Sequence, residues 1–115
     1  MKKDELTLER QCREWARLNG WAAFKIENNG NKGIPDDGFL HPSGVFLMVE
    51  FKASATDKVR PEQKMWAAKF YRNVRFCHDF DTFKSMLEMA KNGQNPSNNF
   101  ILQTENDPNS LNVKL

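Results

Sequence analysis

An apolar run in the middle of the chain, Val45-Phe46-Leu47-Met48-Val49-Glu50-Phe51-Lys52, ends in an acid and an amine two residues apart. The pair Pro35-Asp36 precedes it by one hairpin's length of chain. Charges at the end of an otherwise buried strand are costly and are kept when they pair with each other or with a metal. Side chains alternate along a strand, so Glu50 and Lys52 project to one side, roughly 7 Å apart at Cα. A second acid-x-lysine triplet, Glu62-Gln63-Lys64, falls in a helical stretch, where residues two apart do not face each other. A turn at Pro42-Ser43-Gly44 makes 36–40 the antiparallel neighbour of 45–52 and brings Asp36 opposite or next to Glu50. Two carboxylates placed so hold a hard cation through oxygen. Magnesium there lowers the pKa of a bound water and neutralises charge on a phosphate, with Lys52 orienting the water or stabilising the pentavalent phosphorus. The implied chemistry is metal-assisted hydrolysis of a phosphodiester; the plain alternative is a Glu50–Lys52 ion pair on an exposed strand end.

The elements that position these residues are legible from periodicity and punctuation. Leu8, Cys12, Trp15 and Ala16 recur at helical spacing over 5–19, and Asn19-Gly20 supplies the stop. Glu5 falls beside this apolar stripe and Glu9 on its flank. Strands are predicted over 21–26, 36–40 and 45–52, the last apolar on both faces and therefore covered on each side. Asn28-Asn29-Gly30-Asn31-Lys32-Gly33 is a turn-rich loop. Pro61 suits the first position of a helix running to about residue 72, with Trp66, Ala67, Phe70 and Tyr71 on one apolar face and Gln63 in its first turn. A strand over 73–77 and a helix over 80–90, with Phe83, Met86, Leu87 and Ala90 inward, complete an α/β order of α-β-β-β-α-β-α, a mixed sheet flanked by helices. From Asn92 the composition changes: 92–115 holds seven asparagines and two prolines, with Phe100-Ile101-Leu102 its compact apolar cluster. This stretch reads as an extended arm or a partner-packing tail with at most one short strand.

At 115 residues and 39% hydrophobic content the chain fits one folded domain. No run of about 18 apolar residues is present, so no membrane-spanning helix is expected. Met1-Lys2-Lys3-Asp4-Glu5 has no apolar stretch of the kind a secretory signal needs, and two cysteines, Cys12 and Cys77, suit a reduced interior. An intracellular, cytoplasmic protein is therefore expected, with both cysteines as core residues.

The net charge of +2 is unevenly spread. Between Asp57 and Arg75, six basic residues stand against two acids, a local excess suited either to a phosphate backbone or to a solvated helix face. Lys25, Lys32, Lys58, Arg60 and Lys64 are the candidate DNA contacts. No recognition-helix motif appears, which favours readout of shape over sequence. His41 and His78 lack partner motifs for histidine-based hydrolysis.

With these residues in view, the chain resembles the PD-(D/E)xK nuclease superfamily and, within it, the virus-type replication-repair nuclease (VRR-NUC) family. The resemblance runs from about Glu5 to Leu87. It rests on Glu5, Gly20, Gly33-Ile34-Pro35-Asp36, Val49-Glu50-Phe51-Lys52 and Arg60-Pro61-Glu62-Gln63, in that order. It implies a restriction-endonuclease-like core, a nuclease domain over 1–91 with a C-terminal extension over 92–115, Mg²⁺ or Mn²⁺ as cofactor, and DNA cleavage. Single-domain members resemble Holliday junction resolvases in acting as homodimers on branched DNA, which implies a second copy and branched or duplex DNA as partners. A phage or mobile-element setting in replication, repair or recombination follows from the same likeness. By resemblance, Asp36 and Glu50 ligate the metal and Lys52 serves the attacking water. The Phe51 carbonyl adds a ligand, and Glu5 approaches the metal directly or through water, with Glu9 its rival. Gln63 matches the glutamine of the second helix, supporting the site or touching the scissile strand, unless it only bonds the helix start. Asp37 departs from the aliphatic residue common after Pro-Asp; it faces away from Asp36 unless the register slips by one. The competing class is a non-catalytic DNA- or partner-binding module retaining the fold, against which the intact Asp36, Glu50 and Lys52 argue.

Overall fold

The first helix ends where its sequence punctuates it. In the computed structural model, which describes residues 3–94, α1 (Lys3–Leu18) stops at Asn19-Gly20. The Asn19 side chain and backbone N–H both donate to the Trp15 carbonyl, at 2.8 and 3.1 Å, and Gly20 adopts a φ of 88°, which glycine takes at little cost. There follow β1 (Ala22–Lys25), β2 (Asp37–Leu40), β3 (Phe46–Phe51), α2 (Pro61–Lys69), β4 (Val74–Cys77) and α3 (Phe80–Lys91). This is the α-β-β-β-α-β-α order expected. The four strands lie in the order β1-β2-β3-β4; the first three are antiparallel, and β4 runs parallel to β3, with α2 as the crossover between them.

The turn between β2 and β3 fixes the register on which the site depends. The Gly44 N–H donates to the His41 carbonyl (2.8 Å), the His41 N–H donates to the Val45 carbonyl (2.9 Å), and Gly44 has a φ of 98°. Leu40 then pairs with Phe46 and Asp37 with Val49, so the next step sets Asp36 across from Glu50. The Ile26 N–H donates to the Asp36 carbonyl at 2.8 Å, which keeps that residue's backbone in line with the sheet.

β3 is apolar on both sides because both sides are covered. Leu47, Val49 and Phe51 join Phe39, Cys12 and Ala16 of α1, and Phe83, Met86, Leu87 and Ala90 of α3 in the larger core. Met48 leans the other way onto Val59, Ala67, Val74 and Phe76 under α2. Phe83 anchors the larger core, its ring 4.9 Å from that of Phe39; each such ring contributes about 1.5–3 kcal/mol through burial. Asp79 caps α3, accepting from the Thr82 N–H at 2.7 Å. Cys12 and Cys77 are free and buried, and burial pushes both thiols up, Cys77 to about 12, which leaves them inert core residues.

α2 ends three residues earlier than its sequence pattern predicts. The chain turns at Phe70, whose carbonyl accepts from the Asn73 N–H, and the Asn73 side chain donates to the Phe46 carbonyl at 2.7 Å to launch β4 beside β3. Phe70 and Tyr71 are consequently exposed instead of lying on a buried helical face. The Asn-rich extension expected over 92–115, with Phe100-Ile101-Leu102, lies from residue 95 onward outside the described residues. Among the described residues no helix is long and apolar enough to cross a membrane.

Candidate active site

At the end of β3 the strand's alternation carries Glu50 and Lys52 onto the α2 side, with Lys52 Nζ 3.8 Å from Glu50 Oε2. Asp36, one residue ahead of β2, reaches across so that its Oδ2 accepts the Phe51 N–H at 2.9 Å. All three line one open cavity of about 360 Å³, together with Glu5, Arg60 and Gln63, and with Asp57 and Lys58 of the loop that follows β3. The loop is closed on itself by Asp57, whose carboxylate accepts from the Ala53 N–H at 2.8 Å and the Ser54 hydroxyl at 3.2 Å.

Gln63 ties the cavity wall together. Pro61 starts α2 at a position where its missing N–H costs nothing, which places Gln63 in the first turn. Its Nε2 donates to Glu50 Oε2 at 3.0 Å, and its Oε1 accepts from Lys52 Nζ at 2.9 Å and from the Arg60 N–H at 3.0 Å. The side chain therefore makes the helix-start bond and grips both site residues at once. Lys52 Nζ also donates to the Lys58 carbonyl at 3.1 Å. Glu50 and Lys52 are 8% and 7% exposed, so theirs is no ion pair on an open strand end.

Burial, then the charge of Asp36, pushes the Glu50 carboxyl up to about 8, while Lys52 pulls the other way. Asp36 is raised as well, by burial first, against the bond from the Phe51 N–H. Two carboxyls that resist ionising together are a site short of positive charge. Asp36 Oδ2 and Glu50 Oε2 are committed to protein donors, and the second oxygen of each is left for other partners. Among the described residues no three acidic, histidine or cysteine side chains close around a common point. A cation here would have Asp36 and Glu50 as side-chain ligands and take the rest of its shell from carbonyl oxygen and water. That hard, partly hydrated set fits Mg²⁺ or Mn²⁺.

The two helix-1 acids separate cleanly. Glu5 lines the cavity. Glu9 is fully buried, where Lys25 Nζ (2.9 Å) and Arg13 (3.3 Å) engage it. Arg13 also bonds Asp37 Oδ1 at 3.0 Å, so Asp37 faces away from Asp36. Burial, then its contact with Glu9, pushes Asp37 up to about 8; Glu9, although burial raises it, is held below its usual range by Asp37, Lys25 and Arg13. Glu9 Oε1 and Asp37 Oδ2 are buried without another donor, which one proton held between the two carboxyls satisfies. Nothing in the sequence pattern flagged this Glu9–Arg13–Lys25–Asp37 group or the lining role of Asp57.

Of the expected DNA contacts, Lys58 and Arg60 are exposed at the cavity rim, and Lys32 is exposed on its loop. Lys25 is exposed but its ammonium is held by Glu9. Lys64 corrects the expectation: it is 7% exposed, because its position turns inward on α2 beside Gln63 and Ala67, and it is not part of an open basic surface. His41 bonds Ser43 at 2.8 Å and His78 lies 3.6 Å from Asp79, both away from the cavity.

No family model and no curated protein matches the chain. Among solved structures it is similar to one described as a VRR_NUC domain, with a TM-score of 0.68 and 24% identity over 76% of this chain and 97% of that one. The chain has the fold of a VRR_NUC domain.

Proposed function

We propose that the protein is a metal-dependent endonuclease that hydrolyses phosphodiester bonds in branched or duplex DNA. One observation carries this reading: Asp36, Glu50 and Lys52 meet at one open cavity, where burial raises both carboxyls, a cost that a bound cation would offset. When bound, a divalent ion supplies a Lewis acid that lowers the pKa of a water and neutralises charge on the phosphate. Asp36 and Glu50 would hold that ion, with the Phe51 carbonyl and Glu5, directly or through water, as the further candidate ligands. The Lys52 ammonium donates to two carbonyl oxygens, of Lys58 and of the Gln63 amide, which hold it beside Glu50. Its role is to hold the attacking water and offset charge on phosphorus as the new P–O bond forms and the old one breaks. Gln63 fixes the relative placement of Glu50 and Lys52, and Arg60, Lys58 and Lys32 hold flanking phosphates.

Residues 1–91 form the nuclease domain in this reading, with 92–115 as an extension. In this reading a second copy docks on exposed apolar residues, for which Phe24 and Leu40 of the sheet and Phe70 and Tyr71 after α2 are the candidates. Light scattering at micromolar concentration would return a dimer mass. The setting is phage or mobile-element DNA metabolism in the cytoplasm.

The direct test incubates supercoiled plasmid and a four-way junction with the protein, with and without Mg²⁺. Metal-dependent nicking of the junction, abolished in Asp36→Ala and Lys52→Ala, is expected. Cutting that survives both substitutions would overturn the roles assigned. Tight DNA binding with no cutting under any divalent ion would favour a non-catalytic module.

A further inference from the structure

We propose that Gly33 and Trp66 are positioning residues that clamp the Asn28–Gly33 loop onto the first turns of α2 and thereby set the separation of Asp36 from Gln63. Gly33 is buried with a φ of 88°, and a Cβ there would lie 2.5 Å from the backbone carbon and oxygen of Glu62. Glu62 immediately precedes Gln63. On the loop side, Ile34 and Pro35, whose φ is fixed by its ring, lead from Gly33 straight to Asp36. A second tie holds the same contact: Trp66 Nε1 donates to the Lys32 carbonyl at 3.1 Å. One face of this junction therefore ends in Asp36 and the other in the side chain that grips Glu50 and Lys52. The β2–β3 ladder sets the Asp36 backbone across from Glu50, and the packing of Ala67 on Val74 and Phe76 seats α2 on the sheet. The clamp sets where the loop that ends in Asp36 stands against the first turns of α2, and so how both side chains meet β3. A methyl group at position 33 must part loop and helix by about 1 Å to reach ordinary contact distance, a displacement that matters at a reacting centre.

Gly30 provides the control. It has nearly the same backbone, φ 84°, yet a Cβ there meets nothing within 4 Å. Gly30→Ala and Gly33→Ala thus share the strain of a positive φ, and only the second touches α2. The readout that needs no activity is an amide spectrum of the metal-free proteins. Its reporters are the Phe51 N–H, bonded to Asp36, and the Gln63 side-chain amide, bonded to Glu50. Gly33→Ala is expected to shift both and Gly30→Ala neither. In Mg²⁺-dependent cleavage Gly33→Ala lowers kcat roughly a hundredfold with little change in KM, and Gly30→Ala leaves both as they are. Trp66→Phe keeps the ring and loses the donor; it moves the same two signals less and lowers kcat about three- to tenfold, and it decides the matter if Gly33→Ala does not fold. Unmoved reporters in the folded clamp variants, or equal movement in Gly30→Ala, would overturn the proposal. Its kinetic arm rests on the hydrolytic reading: a wild type that cuts no DNA while the reporters move as stated would sink that reading and leave the clamp standing.

Discussion

Binding of Mg²⁺ at neutral pH should expel close to one proton. Burial and the neighbouring Asp36 charge hold the Glu50 carboxyl up at about 8, so at pH 7 about 0.9 of the molecules carry the proton that a cation must displace. At pH 9 the fraction falls to about 0.1. Isothermal titration of metal-free protein with Mg²⁺, in buffers of different ionisation enthalpy, reads proton release as the slope of heat against that enthalpy. The expected slope is near one at pH 7 and near zero at pH 9. The same proton shapes stability. A carboxyl whose pKa rises from 4.5 to about 8 on folding binds more protons folded than unfolded between those values. Its contribution is complete below about pH 4.5 and is lost as pH rises through 8. The ceiling is about 5 kcal/mol, at about 1.4 kcal/mol per unit, and Asp36 shares it because the two carboxyls titrate together. Asp37, also raised to about 8, adds to the decline in the same window. Metal-free protein should therefore melt at a lower temperature at pH 8.5 than at pH 6, and Mg²⁺ should restore the part due to Glu50 and Asp36. Binding at pH 7 with no proton release would mean that Glu50 is already ionised without the metal, contrary to its raised pKa.

Gln63→Leu removes the donor to Glu50 and an acceptor of Lys52; melting should show a loss of about 1–3 kcal/mol, alongside a fall in cleavage rate. Lys52→Met should lower the single-turnover rate by about 10²–10⁴ with DNA affinity nearly intact, measured by quench-flow and anisotropy. Arg60→Ala and Lys58→Ala should each flatten the salt dependence of DNA binding by about one unit of slope, whereas Lys64→Ala should leave that slope alone because its side chain is buried. Phe83→Ala, which empties the centre of the larger core, should cost about 3–5 kcal/mol in denaturant unfolding.

All seven elements were legible because glycine, asparagine and proline mark their ends: Asn19-Gly20 after α1, Pro42-Ser43-Gly44 within the hairpin, Pro61 at the start of α2. The convergence of Asp36, Glu50 and Lys52 was legible for a related reason, since strand alternation and a short turn together fix which side chains face each other. What escaped notice depends on contacts between elements far apart in sequence. Glu9 meets Lys25 and Arg13 meets Asp37 across 16 and 24 residues, and no local pattern encodes such a buried ionic group. The early end of α2 was hidden because Phe70 and Tyr71 continue its apolar spacing. The competing influence is Asn73, whose side chain reaches the Phe46 carbonyl to begin β4. Lys64 read as a surface cation by type; only the packing of α2 against β4 shows that its position turns inward.

The proposed function stands on a divalent ion shared by Asp36 and Glu50 with Lys52 beside it. Crystals soaked in Mn²⁺ and measured at the manganese absorption edge test it most directly. One anomalous peak is expected within about 2.0–2.6 Å of oxygens from both Asp36 and Glu50. A peak elsewhere, for instance between Glu9 and Asp37, or none at millimolar Mn²⁺ with the cavity open, would contradict it.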